Sequence, residues 1–169
     1  MDLERAIKER RTHKVFGPEP VDRALLDELL ELARWAPNHH LTNPWRFRVL
    51  GPEARARLKA ATDPESAGKL DRAPTLVAAS AVQNGDPQQD EEDVCATAAA
   101  VYIVLLAAHA RGLVGYWRTP AVLRMPEGRQ ALGIGDDEHV LGLIYLGPQR
   151  QQQEPPDRLP PGDYVTYLE

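Results

Sequence analysis

The sequence predicts a single-domain α+β or three-layer α/β protein, on three observations. The 169 residues suit one compact domain of ordinary size. Strand-like segments are separated by helical ones along the whole chain. No internal repeat, linker or change of composition divides the chain, so one domain is expected over residues 1–169.

Four segments have the alternating or continuous apolar pattern of β-strands. WRFRVLG alternates large apolar residues with arginine, and the run from Thr75 to Val82 has the uniform apolarity of a buried strand. The predicted strands are 45–51, 75–82, 113–119 and 138–147.

The intervening segments have helical spacing and helix-end signals. In the second helix, Val21 and Asp22 fit a hydrophobic staple and an N-cap, and Pro37 ends the helix. Gly112 fits the left-handed residue that closes a helix. The predicted helices are 2–11, 22–36, 52–62, a short one just before Thr75, about 91–111 and 126–134.

The helix at 91–111 contains the most apolar run of the chain, VCATAAAVYIVLLAAHA. This run is shorter than the ~20 residues of a membrane span and is rich in alanine rather than leucine. A helix buried on all sides explains the pattern better, so no membrane partner is expected.

Composition excludes several classes of function. The chain is 43% hydrophobic and 27% charged, which supports a packed core rather than disorder. A formal net charge of -5 argues against nucleic acid as a partner, because phosphate backbones require a basic face. The arginines are therefore expected to act locally.

Cys95 is the one cysteine of the chain, so neither a disulfide nor a cysteine metal site can form within it. A lone thiol among small apolar residues indicates core packing rather than a nucleophile. The single cysteine and the N-terminal segment, which has no apolar signal core, both suggest a reducing, cytoplasmic environment.

The stretch RRTHK follows the first predicted helix and is open to two interpretations. If the chain becomes extended near Arg11, the alternating side chains of Arg10, Thr12 and Lys14 point the same way and could clamp an anion such as a phosphate. Basic residues also favour helix C-termini for dipole reasons, so a solvated helix end remains the alternative.

A polar loop, PNHHLTN, follows the second helix and could offer amide and imidazole donors to a ligand through His39 and Asn43. The adjacent His39 and His40 do not predict a metal site, because sequence neighbours rarely bind one ion and no third ligand is suitably spaced.

The stretch GYWRTP lies where the third strand ends. Gly115 permits a close backbone approach, and Trp117 fits plain core packing. Arg118, late in a buried strand, requires an anionic partner.

No catalytic side chain can be singled out. Neither a nucleophile motif, nor a phosphate-binding glycine loop, nor an acid/base pair is present, and the acidic residues fit solvated helix faces. If the protein is an enzyme, a cofactor must supply the difficult step.

Considered together, RRTHKVFGPEPV, WAPNHHLTNPWRFRVL, GLVGYWRTPAV and VLGLIYLGPQ closely resemble the nitroreductase family of FMN-dependent oxidoreductases. The likeness covers most of the chain and is greatest to the small stand-alone bacterial members. It implies an α+β three-layer sandwich with a mainly antiparallel sheet and an intertwined homodimer with FMN at the subunit interface. The long apolar helix would lie at that interface. The proline-rich segment 150–169 closes on the alternating apolar YVTYL, which predicts an extended arm that docks within the chain or onto a partner subunit; a frayed tail remains the alternative.

The resemblance also implies the residues that hold FMN. Arg10, Arg11 and Thr12 match the positions that grip its phosphate and ribityl chain, and Lys14 matches a basic position near the pyrimidine end of the flavin. The remaining matches lie in the loop and the strand end: His39, Asn43, Trp117, Arg118 and Thr119. Asn43 replaces a frequent glutamine, and Pro120 replaces a glycine that would offer an N–H.

The implied activity is hydride transfer from NADH or NADPH to FMN, followed by reduction of a nitroaromatic or quinone-type acceptor in a ping-pong cycle. Flavin N5 carries the hydride, so no catalytic side chain and no metal are expected. The alternative class is an FMN-binding storage, sensing or assembly protein with little turnover.

Overall fold

The computed structural model describes residues 2–154 and 156–168, and its strands form one antiparallel sheet in the order β1-β2-β4-β3. All four predicted strands are confirmed with small changes at their ends: β1 (Trp45–Val49), β2 (Thr75–Val82), β3 (Leu113–Arg118) and β4 (Glu138–Pro148). The helices are α1 (Leu3–Glu9), α2 (Arg23–Ala33), α3 (Pro52–Ala60), α4 (Pro64–Lys69), α5 (Pro87–Ala110) and α6 (Pro126–Leu132).

Helices cover both faces of the sheet. On β2, Val77 and Ala79 face a core shared with α2 and α5, whereas Leu76 and Ala78 face a second core shared with α3 and α6. Both faces of β2 are therefore apolar, which explains its uninterrupted apolar run. The three-layer α+β sandwich is confirmed.

A one-residue bulge in β4 adjusts the sheet beside the end of β3. The register shifts so that Ala79 lies opposite Gly142 and Ser80 opposite Val140, which leaves Leu141 as the extra residue. Gly142 has a φ of 134°, and a Cβ there would lie 2.4 Å from the carbonyl oxygen of Arg118. Only glycine fits this crossing of two backbones.

Several helix boundaries differ from the prediction: α2, α3 and α6 end at Ala33, Ala60 and Leu132, two or three residues early. Three further differences have a clear cause in the structure. The first helix ends at Glu9 rather than Arg11, because the chain turns away to pair with β3. The long helix begins at Pro87 rather than near residue 91, because the Asp86 side chain caps its first turn. The short helix before β2 lies earlier than predicted, because Asp63 caps a helix at Pro64–Lys69.

The prediction that α5 is buried on all sides is wrong for the single chain. One side of the helix packs on the sheet. On the other side Cys95 and Tyr102 are exposed, and Ala99 and Leu106 are half-buried. These four residues, spaced at 3–4-residue intervals, form what we call the α5 stripe. The prediction that Cys95 is a core residue is wrong for the same reason.

By length and composition, α5 could cross a membrane, but half of its most apolar window is buried inside the fold. That is weak evidence for a span and is also the behaviour of a core helix of a soluble protein.

The C-terminal arm predicted at 150–169 contains one 3-10 turn, Pro161–Asp163, among its described residues. Positions 155 and 169 lie outside the described residues. Every described residue of the arm is exposed, and Tyr167 and Leu168 are both 91% exposed. The apolar end of the arm therefore finds no core within its own chain.

Candidate functional site

Two arginines from RRTHK line a cleft with the C-terminal arm. The cleft has a volume of about 560 Å³, and Arg10, Arg11 and Arg158 all lie on its wall. Ile7, Lys8, Tyr102, Pro156 and Asp157 complete the lining. We call it the arginine cleft; it is locally basic in a chain whose net charge is -5.

The end of α1 places these arginines. The last turn of α1 closes with Arg10, whose ψ of 129° sends the chain into an extended path. Thr12 then bridges Gly115 of β3, and the N–H of His13 donates to the Gly115 carbonyl at 3.1 Å. A Cβ on Gly115 would lie 2.6 Å from Leu105 of α5, so this glycine does permit the predicted close approach.

The guanidinium groups in the cleft have unused donors. Arg10 lies with its Cζ 5.6 Å from the ring centroid of Tyr102, a cation–π contact, and Nη1 of Arg11 donates to the Arg10 carbonyl at 2.8 Å. The Nε atoms of both arginines are buried and have no hydrogen-bond partner within residues 2–154 and 156–168. Buried donors of this kind are rare without a ligand or water to accept from them.

The buried His13 and the half-buried His109 lie near these cations. Burial lowers the pKa of His13, and the nearby His109 and Arg10 lower it further. Burial likewise lowers the pKa of His109; Glu9 opposes this effect, and the neighbouring arginines reinforce it. Burial and neighbouring positive charge therefore both favour the neutral form of these imidazoles.

The PNHHLTN loop borders a second cleft, of about 620 Å³, at the other end of the α5 stripe. His39 and Cys95 are among its lining residues. Nδ1 of His39 lies 2.6 Å from Oε2 of Glu92, and this hydrogen bond is the main cause that lowers the pKa of Glu92. We call this the histidine cleft.

The loop backbone is strained and is held in place by α5. His40, Leu41 and Asn43 have φ values of 52°, 53° and 48°, which non-glycine residues seldom adopt. The hydroxyl of Thr42 donates to the buried carboxylate of Asp93 at 2.5 Å, which anchors the loop. Strain of this type concentrates at functional sites.

Asn43 uses its side chain locally: Nδ2 donates to the Leu41 carbonyl at 2.6 Å. Its backbone N–H donates to Oδ1 of Asn38 at 3.0 Å. The amide that sequence reasoning assigned to a ligand therefore stabilises the loop in the structure of the chain alone.

The strand-end residues have separate tasks. Nε1 of Trp117 and the hydroxyl of Thr119 both donate to the carbonyl of Leu141, at 3.0 and 2.8 Å, and so fasten the β4 bulge. Strand alternation sends Arg118 to the opposite sheet face from Trp117. Burial raises the pKa of Tyr145, and the charge of Arg118 partly offsets that effect.

The structure thus brings only part of the predicted set together. Arg10 and Arg11 share the arginine cleft, whereas Thr12 and Lys14 are exposed beside it and do not line it. His39 contacts α5 near Glu92, about 15 Å along the helix from Tyr102 at about 1.5 Å per residue. Trp117, Arg118 and Thr119 line neither cleft.

Sequence reasoning missed several residues of these clefts. Arg158 stands alone between prolines and gave no signal beyond its charge, and Tyr102 is the one aromatic residue in an alanine-rich helix. His13, Glu92 and Asp93 are recognisable only once their contacts are known.

Comparison with known proteins agrees with this fold. The profile described as "Nitroreductase family" matches residues 7–65. YfhC of Bacillus subtilis (strain 168), named as a proposed NAD(P)H nitroreductase, is 27% identical over 96% of this chain and 92% of its own length. YdjA of Escherichia coli (strain K12), named in the same way, is 28% identical over 98% of each chain.

Solved structures show the same architecture. A crystal structure of a nitroreductase-like family protein from Bacillus cereus has a TM-score of 0.91 and 26% identity, and covers 100% of this chain and 97% of that chain. The FMN and NADPH-dependent nitroreductase NfnB from sphigopyxis sp. strain HMH has a TM-score of 0.83 at 18% identity, with 100% of both chains covered, which shows the fold alone.

The sheet order, the two helical layers and the basic cleft beside α5 define a protein of nitroreductase-like fold. The profile match over residues 7–65 and the relatives that span nearly the whole chain make this chain similar to proteins of the nitroreductase family.

Proposed function

We propose that this chain is an FMN-dependent oxidoreductase that takes hydride from NADH or NADPH and reduces nitroaromatic or quinone-type acceptors by a ping-pong mechanism. The observation that carries the proposal is the pair of buried Nε atoms of Arg10 and Arg11 in the basic cleft, which find no hydrogen-bond partner among the described residues. A phosphate group would accept from both atoms and would neutralise the local charge. The names of YfhC and YdjA support the choice of reaction class.

The residues present fit FMN at its phosphate end. Arg10 and Arg11 would hold the phosphate, and Arg158 on the same wall would add a third cation. Thr12 and Lys14, exposed next to the cleft, would reach the ribityl chain and the pyrimidine end. A cation at Lys14 would stabilise negative charge on that end of the ring.

Bound FMN would supply the two-electron chemistry, and the protein's own residues would bind, orient and exclude water. Trp117 and Thr119 act indirectly, because they fasten the bulge at Leu141 and so fix the end of β3. The strained loop with His39 and Asn43 would border the ring, held rigid by the bond from Thr42 to Asp93.

We further propose a homodimer in which a partner copy covers the α5 stripe. In one chain the arginine and histidine clefts lie about 15 Å apart along α5, so a second copy is needed to bring an arginine cleft and a histidine cleft against one flavin. The exposed Tyr102 on the stripe and the undocked apolar end of the arm support this assembly. A cytoplasmic location is part of the proposal.

An absorption spectrum of the purified protein after reconstitution with FMN tests the function first. Flavin bands should appear, bleach anaerobically with NADH or NADPH, and return when a quinone or nitroaromatic is added. Bound flavin that neither nucleotide reduces would favour the binding-protein alternative, and the absence of bound flavin would refute both.

The variant Arg10→Gln tests the phosphate assignment. Loss of one charged partner of a phosphate is expected to weaken FMN binding by about 10- to 100-fold, measured by the quenching of flavin fluorescence. Arg23→Gln is the matched control, because the Arg23 side chain is 92% exposed on α2 and lines neither cleft. Unchanged FMN affinity in Arg10→Gln would remove the assignment.

A further inference from the structure

A third cleft, formed by other residues than the arginine and histidine clefts, is also lined by arginines. It has a volume of about 630 Å³ and shares no lining residue with either of them. Its basic residues are Arg55, Arg72 and Arg150. Phe16, Gly17, Pro18, Asp71, Ala73 and Pro74 form the rest of the wall. We call it the Arg72 cleft.

The three cations reach this cleft from separate parts of the fold. Arg55 belongs to α3, Arg72 to the connection between α4 and β2, and Arg150 to the segment just after β4. Helix-end charge preference places basic residues along one element, so it does not explain a convergence from three elements. Tertiary structure creates this site.

The acidic residue of the lining, Asp71, is already paired with a lysine. The carboxylate of Asp71 accepts from Nζ of Lys59 at 2.6 Å. Nη2 of Arg55 donates to the Pro74 carbonyl at 2.8 Å, which fixes that guanidinium and leaves its other donors free. The side chains of Arg72 and Arg150 have no hydrogen bond or ion pair with another described residue. Five other arginines pair with a carboxylate among the described residues, as Arg48 does with Glu138.

The wall of the cleft is rigid. The N–H of Gly17 donates to the Pro148 carbonyl at 2.9 Å, and Phe16 bridges Gln149. A Cβ on Gly17 would lie 3.1 Å from the Pro148 side chain and 3.0 Å from a carboxylate oxygen of Glu19, so the backbone there is closely packed. A cleft that carries more free cations than free carboxylates concentrates anions.

The positive field extends into the core below. Burial raises the pKa of the Tyr145 phenol, and Arg118, Arg72 and Arg55 oppose that effect. The Tyr145 hydroxyl is buried and has no partner within the described residues.

We propose that the Arg72 cleft binds the phosphate or diphosphate group of a small ligand, at a site separate from the one proposed for FMN. Arginine forks match phosphate oxygens with paired hydrogen bonds, and three of them supply the charge that a diphosphate requires. The proposal does not depend on the oxidoreductase activity, because its residues are separate from the arginine and histidine clefts.

Isothermal titration calorimetry with inorganic pyrophosphate tests the proposal on the full chain saturated with FMN. Wild-type protein should bind, with an affinity that falls as salt rises. Arg72→Gln and Arg150→Gln should each weaken binding about tenfold or more, and Arg72→Lys, which keeps the charge but loses the fork, should weaken it less. Arg23→Gln should bind as wild type does, and melting temperatures verify that each variant is folded.

The variant Arg10→Gln distinguishes pyrophosphate binding in the Arg72 cleft from binding in the arginine cleft, whether or not FMN binds in the arginine cleft. Pyrophosphate binding that survives in Arg10→Gln but is lost in Arg72→Gln assigns the anion to the Arg72 cleft. Binding lost in Arg10→Gln and retained in Arg72→Gln and Arg150→Gln would overturn the proposal, as would the absence of binding to the wild-type protein.

Discussion

Glu138→Gln removes the carboxylate that joins three strands of the sheet. Arg48 of β1 donates to both oxygens of Glu138, at 2.6 and 2.9 Å. The hydroxyl of Ser80 in β2 donates to the same carboxylate, and the N–H of Gly135 donates at 3.0 Å. The Glu138 side chain is only 8% exposed, so water cannot replace these bonds.

The pKa of Glu138 sets the size of the effect. Burial raises this pKa, but the hydrogen bonds from Arg48, Ser80 and Gly135 lower it from 4.5 to about 2. The folded pKa is thus below the unfolded one, so the stabilisation is complete above pH 4.5 and is lost as the pH falls toward 2. At about 1.4 kcal/mol per pH unit, the contribution at neutral pH is about 3 kcal/mol.

Urea unfolding of wild type and Glu138→Gln at several pH values measures this contribution. The variant should be less stable at pH 7 by about 3 kcal/mol or more, because it also leaves the Arg48 guanidinium without its carboxylate. The difference should shrink by about 1 kcal/mol at pH 4 and by about 2 kcal/mol at pH 3.

Glu154→Gln is the matched control, because Glu154 is exposed in the arm and forms no ion pair with another described residue. Its stability should follow that of the wild type at every pH. Parallel pH profiles for wild type and Glu138→Gln would refute the reasoning, because they would show that the carboxylate has the same pKa in the folded and unfolded states.

Three further predictions concern the bulge, the buried His13 and the arm. Gly142→Ala should lower the free energy of unfolding by about 3 kcal/mol, because the new Cβ would meet the Arg118 carbonyl. Gly68→Ala is the control, because Gly68 lies at an open helix position where a Cβ should not destabilise the protein; urea unfolding measures both variants. Titration of His13 by NMR should give a pKa below 6.5 that rises on addition of FMN, because a phosphate favours imidazolium; a constant value would contradict a nearby phosphate. Removal of residues 155–169 should weaken the proposed dimer in sedimentation experiments, and an equally stable truncated dimer would exclude a role for the arm.

The sequence by itself determined the elements of the sheet and most of the helices. β2 was predicted at its observed bounds, because a strand covered on both faces must be apolar throughout. Asp22 was predicted as a cap, and its side chain accepts from the N–H of Ala24 at 2.8 Å. Such signals are local, and local chemistry is sufficient to recognise them.

Some boundaries depended on contacts that a linear pattern does not contain. The first helix ends at Glu9 because Thr12 pairs with Gly115, more than 100 residues further along the chain. Likewise, Leu141 bulges where Trp117 and Thr119 can donate to its carbonyl. Pairing between distant segments outweighs the propensity of a few residues at an element's end.

Only the tertiary structure decided which charges act together. The adjacent Arg10 and Arg11 were visible in the sequence, but Arg158 joins them only because the arm returns to α1. Arg118 is adjacent to Trp117 in sequence, yet strand alternation places the two side chains on opposite faces of the sheet. A sequence determines which residues can bind an anion, whereas the path of the backbone determines which of them meet at one point in space.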